Sequence, residues 1–161
     1  MKASNTRSLS SGFTVVELIV VIVVIGILAG VSIVGYSGLQ GRARDNERKA
    51  DIETIQSVLE TYRDQTGQYP NRSQAITNAT TFFADQRLPE AALVAPGAAA
   101  GTTLSLIWGA TADSASYGYQ SLKSDNTGCL ISSDTCTKYT LTYKAEMNST
   151  VITILSKYGQ S

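Results

Sequence analysis

A lone carboxylate inside an apolar run is the most chemically loaded feature of this 161-residue chain. From Phe13 to Val34 nearly every residue is Val, Ile, Leu, Ala or Gly, and Glu17 carries the only charge. Those 22 residues would reach about 33 Å as a helix, enough to cross a bilayer core. A carboxylate fully inserted there costs about 3 kcal/mol, so it calls for a partner. An α-amino group would serve, and a cut after Gly12 would create one at Phe13. Glycine suits the position before such a cut, because a peptidase must bring its catalytic groups close to the backbone.

The stretch from Gly12 to Tyr36, GFTVVELIVVIVVIGILAGVSIVGY, resembles the N-terminal region of type IV pilins and of the related pseudopilins of type II secretion. Farther on, Tyr62, Gly67, Tyr69 and Pro70 are spaced like the helix exit of major pseudopilins and many pilins, which extends the likeness to about the first 70 residues. The resemblance implies that a prepilin peptidase cuts after Gly12 on the cytoplasmic face and methylates the new amine of Phe13. It implies that Glu17 aids docking of an incoming subunit by pairing with an N-terminal amine in the growing filament. It also implies a pilus assembly platform protein and ATPase as partners. Many members carry proline where this chain has Val34, so a proline-set kink is not implied here.

Other readings of the same residues stay open. Lys2 and Arg7 could be the basic end of an ordinary secretory signal cut near Ala29. A plain membrane anchor would explain the length but not Glu17. The carboxylate itself could pair with Thr14 or a lipid headgroup. Charge does not orient the segment as the resemblance does, because Arg42, Arg44, Arg48 and Lys49 follow it and outnumber Lys2 and Arg7 before it.

Thirteen basic and thirteen acidic residues balance over the chain. Loss of Lys2 and Arg7 with a leader would leave 11 basic against 13 acidic side chains, a net of minus two. Such a chain, without a basic block, is a poor binder of nucleic acid by charge. There is no histidine, which excludes Ser-His and Cys-His nucleophiles and leaves two thiols short of a zinc site. Asp113, Asp125 and Asp134 read as solvated turn residues, and the triplets at Asn71, Asn78 and Asn148 carry no functional weight. No enzyme activity, cofactor or metal is expected.

The elements that must position Glu17 follow from periodicity. Four segments are expected: a leader at 1–12, a transmembrane and filament-core helix at 13–36, an amphipathic continuation at 37–66, and a globular head at 67–161. Ile52, Ile55, Leu59 and Tyr62 recur at helical spacing with Val58 beside them. The helix is expected from about Thr14 to Asp64, ended by Gly67 and Pro70. Gly26, Gly30, Gly35, Gly38 and Gly41 place five glycines in sixteen residues, each costing about 1 kcal/mol of helix propensity against alanine. Gly26, Gly30 and Gly35 are read as softening the helix so that it unwinds on assembly, as it does in the resembling pilins. The alternative is close helix contact at Gly26-x-x-x-Gly30.

In the head, Ser73 to Ala84 is expected to hold a short helix. Strands are expected at Thr103–Trp108, Tyr117–Leu122, Lys138–Lys144 and Val151–Leu155, forming a small antiparallel sheet laid on the helix in an α+β fold. Cys129 and Cys136 are the only cysteines, and a disulfide is the natural reading outside the cytoplasm, with two reduced thiols the alternative.

The expected function is a structural subunit of a type IV pilus or pilin-like filament, a self-polymer held in the cytoplasmic membrane before assembly and at the cell surface after it. The alternatives are a pseudopilin of a type II secretion or DNA-uptake system, and a membrane-anchored extracytoplasmic binding domain. Mass spectrometry of the membrane-extracted protein should find Phe13, with one added methyl group, as the mature terminus. Gly12→Val should leave an uncut precursor. A terminus at Val31, or an intact Met1, would overturn this assignment.

Overall fold

The computed structural model describes residues 13–158, apart from the side chains of 32–37. It divides into two compact units, Met1–Leu39 and Gln40–Ser161. Helix α1 (Val15–Thr66, 52 residues) begins in the first and ends in the second.

Within the first unit, α1 turns apolar side chains outward on every face. Val24 is 49% exposed and Val31 72%. Among the described residues no helix is long and apolar enough to cross a membrane. The apolar run with described side chains stops at Val31, and the rest of the expected segment falls in 32–37.

The second unit is built on one stripe of α1. Ile52, Ile55 and Leu59 are fully buried, and Val58 and Tyr62 pack at the margin of the same core. The helix ends where Gly67 takes a left-handed φ of 82°, its amide donating to the Arg63 carbonyl at 2.7 Å. Pro70 prevents continuation. The segment expected as one short helix is two pieces: a π-helical turn at Ser73–Thr77 and α2 at Ala79–Asp85. A 3-10 turn at Glu90–Leu93 follows.

Four strands then form one sheet in the order β1 (Leu106–Trp108), β2 (Tyr117–Leu122), β3 (Lys138–Lys144) and β4 (Val151–Leu155). The last three have the expected bounds and pair antiparallel. The expectation of a wholly antiparallel sheet is corrected at one edge, because β1 runs parallel to β2 and the sheet is mixed. A three-residue strand needs only a short return path, so residues 109–116 suffice for the parallel connection. That path lies on the outer face of the sheet over Gly118, where a Cβ would come within 2.7 Å of the Gly109 and Thr111 carbonyls. The first strand is also shorter than read, because Ser105 donates its amide to the Leu93 carbonyl at 2.6 Å instead of extending it.

Tyrosines dominate the inner face of the sheet, and buried phenols need acceptors. Tyr117 donates to Asp51 at 2.6 Å, Tyr139 to Glu60 at 2.9 Å and Tyr119 to the Pro70 carbonyl at 2.6 Å. Tyr69, after the helix, donates to the other oxygen of Glu60 at 2.8 Å. Burial pushes the phenols of Tyr117 and Tyr139 well up, and it raises the Asp51 carboxyl as well.

A charged clasp lies upstream on α1. Arg48 is fully buried. It donates to Asp45 at 2.9 Å, to the Pro96 and Ser114 carbonyls at 2.7 and 2.8 Å, and to Glu146 at 3.3 Å. Arg44 grips Glu146 with both prongs of its guanidinium. Asp45 accepts the amides of Glu146 and Met147 at 2.7 and 3.1 Å. Burial pushes the Asp45 carboxyl up, but those amides and Arg48 outweigh it and hold it below its ordinary 3.8. The β3–β4 turn thereby docks on the helix, with Met147 against Gly41, where a Cβ would meet the sulfur at 2.8 Å.

Arg48→Met should remove the donor to the Pro96 and Ser114 carbonyls and one partner each from Asp45 and Glu146, lowering the stability of the globular unit by about 3 kcal/mol. Urea unfolding of the full chain in detergent measures it. A loss under about 1 kcal/mol would mean that the clasp is not a stabilising contact.

Candidate functional site

The start of α1 carries the residues singled out by spacing. Thr14 is its N-cap, and Glu17 occupies the third helical position. The Thr14 amide and hydroxyl both donate to Glu17 Oε2 at 2.8 Å, and the Glu17 amide donates to Thr14 Oγ1 at 3.2 Å. This is a reciprocal capping box, which satisfies two of the amides that a helix start leaves without partners. Within one chain, therefore, the carboxylate takes Thr14 as its partner, one of the pairings left open by the sequence. The Thr-x-x-Glu spacing was a legible signal for it.

Phe13, just before the box, is 93% exposed. Gly12, on the other side of the expected cut, lies outside the described residues, as does the rest of 1–12. A group at the amino end of Phe13 would adjoin both the carboxylate and the positive end of the helix dipole. Around it the surface is apolar, with Val15, Val16 and Leu18 each more than 60% exposed. The arrangement offers an ionic contact surrounded by surface that gains from leaving water.

The glycines differ among themselves. Nothing lies within 4 Å of a Cβ built at Gly26 or Gly30, and α1 is α-helical through both. Gly35 falls in 32–37, outside the described side chains. Among the four described glycines of this set, Gly41 has a packing partner, Met147, and the other three have nothing within 4 Å.

Cys129 and Cys136 form a disulfide with Cα atoms 5.8 Å apart. The carbonyls of both cysteines hold the segment after α1: Tyr69 donates its amide to Cys136 and Arg72 its amide to Cys129, each at 2.9 Å. Asp134 accepts the amides of Leu130 and Ile131 and pairs with Lys123 at 3.0 Å. Asp113 and Asp125 likewise accept amides within their own turns. Among the described residues no group of three or more His, Cys, Asp or Glu side chains is placed to hold a metal ion.

A family model for the prokaryotic N-terminal methylation motif matches residues 7–33. Type II secretion system core protein G of Aeromonas hydrophila is 33% identical over 80 residues, 48% of this chain and 56% of that protein. The type IV major pilin protein PilA of Myxococcus xanthus is 26% identical over 76 residues, 47% of this chain and 34% of that one. A fimbrial protein of Neisseria meningitidis is 32% identical over 75 residues, covering 47% and 44%. The chain spans about half the length of the curated relatives it matches. No solved structure matches.

Removing the disulfide by Cys129→Ser with Cys136→Ser should cost about 2.5 kcal/mol, the chain-entropy value for so short a loop. Thermal unfolding of the full chain should record the loss with helix content unchanged. Rapid thiol labelling of both cysteines without reductant would contradict the bridge.

Proposed function

We propose, for a chain that carries the N-terminal methylation motif of prepilins and is homologous over its N-terminal half to type IV pilins and type II secretion core protein G, that it is the structural subunit of a pilin-like filament. A prepilin peptidase removes 1–12 and methylates Phe13. The processed chain waits in the cytoplasmic membrane with its apolar run in lipid. A platform protein and an ATPase then extract it, and it polymerises through its N-terminal helix into a filament at the cell surface. Gly26, Gly30 and Gly35 are proposed to soften the helix as subunits pack. The role is architectural and involves no catalysis.

The observation that carries this reading is the pairing of Glu17 with Thr14 at the head of an apolar surface. Both Thr14 bonds fall on Oε2, which leaves Oε1 for a neighbour's ammonium. An incoming Phe13 amine would otherwise enter a filament core unpaired, at a cost of several kcal/mol. Glu17 would neutralise it without giving up its own cap.

A second reading, a pseudopilin of a type II secretion or DNA-uptake machine, is favoured by one finding: several of the curated relatives are type II secretion core protein G. The two differ in the length and place of the filament, not in the chemistry of its assembly.

Glu17→Ala separates assembly from capping. Loss of the cap alone removes about 1 kcal/mol from the helix start, too little to abolish a polymer held by many helices. Cleavage and membrane level should persist while sheared surface filament disappears. Expressed as the sole copy, the variant is compared with wild type in membrane and sheared fractions. Wild-type amounts of sheared filament would show that Glu17 is not an assembly residue.

A further inference from the structure

A helical filament needs each subunit to present two different, complementary surfaces, since a surface that pairs with itself closes a dimer. The globular unit has such a pair at opposite ends of its sheet. Beyond the β1 edge, where Ser105 is bonded to Leu93, lies an apolar groove of about 340 Å³ lined by Ala84, Leu88, Ala91, Val94 and Glu90 among others. Glu90 is its charged lining residue and is exposed.

At the other end, three strand spacings or about 14 Å away, β4 is the edge strand. It exposes Val151 and Leu155 at 46% and 48%. Lysines flank this ridge: Lys144 stands opposite Val151 in register on β3, and Lys157 lies two residues past Leu155. The groove is lined mainly by apolar groups with three threonines and one carboxylate, Glu90; the β4 face sets Val151 and Leu155 between two lysines, of which Lys144 also lies near Asp113. Edge strands exposed in this way pair or aggregate unless something covers them.

We infer that the β4 ridge of one subunit seats in the 84–103 groove of the next, with Lys144 and Lys157 facing Glu90. The occupant is a second copy of this chain. The contact rests on the filament reading, and it adds a head-to-tail junction between globular units to the packing of N-terminal helices. Because groove and ridge are different surfaces at opposite ends of the sheet, the junction is heterologous, and it propagates as an open helix when the packing of the N-terminal helices keeps its rotation from closing a ring.

The test uses the full-length chain as the only copy in cells. Ala91→Cys and Leu155→Cys are introduced together, and sheared filaments are oxidised and run without reductant. A ladder of dimers, trimers and longer species is expected from the double variant, and monomer from each single one. In parallel, Glu90→Lys should lower sheared filament about tenfold through like-charge contact. Lys144→Glu with Lys157→Glu should do the same, and all three together should restore most of the yield.

Filaments that form normally but give no ladder, and do not respond to the charge changes, overturn the junction while leaving the filament reading intact. A disulfide-linked dimer from either single cysteine would mean a self-pairing contact and also overturn it. If the unaltered chain makes no filament at all, the filament reading fails and the junction fails with it.

Discussion

Arg48 and Glu60 sit about 18 Å apart along α1, one cationic and one anionic, and between them runs the apolar stripe of Ile52, Ile55 and Leu59. Burying apolar surface supplies most of the drive to fold, but it has no direction and cannot set register. The charges can. A buried guanidinium must be met by acceptors, and Arg48 finds them on the Pro96 loop, the Ser114 loop and the β3–β4 turn. Glu60 is met by Tyr69 after the helix, Tyr139 on β3 and the Lys157 amide after β4. Two residues on one helix thus position six other parts of the chain. The groove and the β4 ridge keep their places because the segments bearing them are tied to these points.

Much of this was legible. β3 alternates Tyr139, Leu141 and Tyr143 against Thr140 and Thr142, and its bounds follow directly from that pattern. The helix stripe and its glycine-proline stop were equally plain. The direction of β1 was not, because strand pairing depends on the path of 109–116, and nothing in three residues of β-former specifies it. Arg48 was counted only among the charges that follow the apolar run, although it stands on the same face as Ile52, Ile55 and Leu59 at spacings of four, seven and eleven. Gly41 and Asp45 continue that face upstream. The stripe is thus longer than its apolar residues, and reading it from hydrophobicity alone ended it too soon.

The first unit follows the opposite rule. Its described apolar side chains, from Val15 to Val31, are exposed on every face of the helix. At its start stands the Thr14–Glu17 box, made entirely from the chain's own groups. A carboxylate that already shares its charge with two donors is less costly to bring into an apolar setting than a bare one. The same box that starts the helix would therefore lower the cost of placing Glu17 in an apolar setting.

The loop closed by Cys129 and Cys136 holds its place through backbone carbonyls at the two cysteines and through Asp134. Residues 130–133 between them are exposed, and no bond that fastens the loop depends on which side chains they carry. Mutational drift can therefore concentrate there without disturbing the core. Substitutions at those four positions would change what the loop shows to solvent while the framework around them stayed constant.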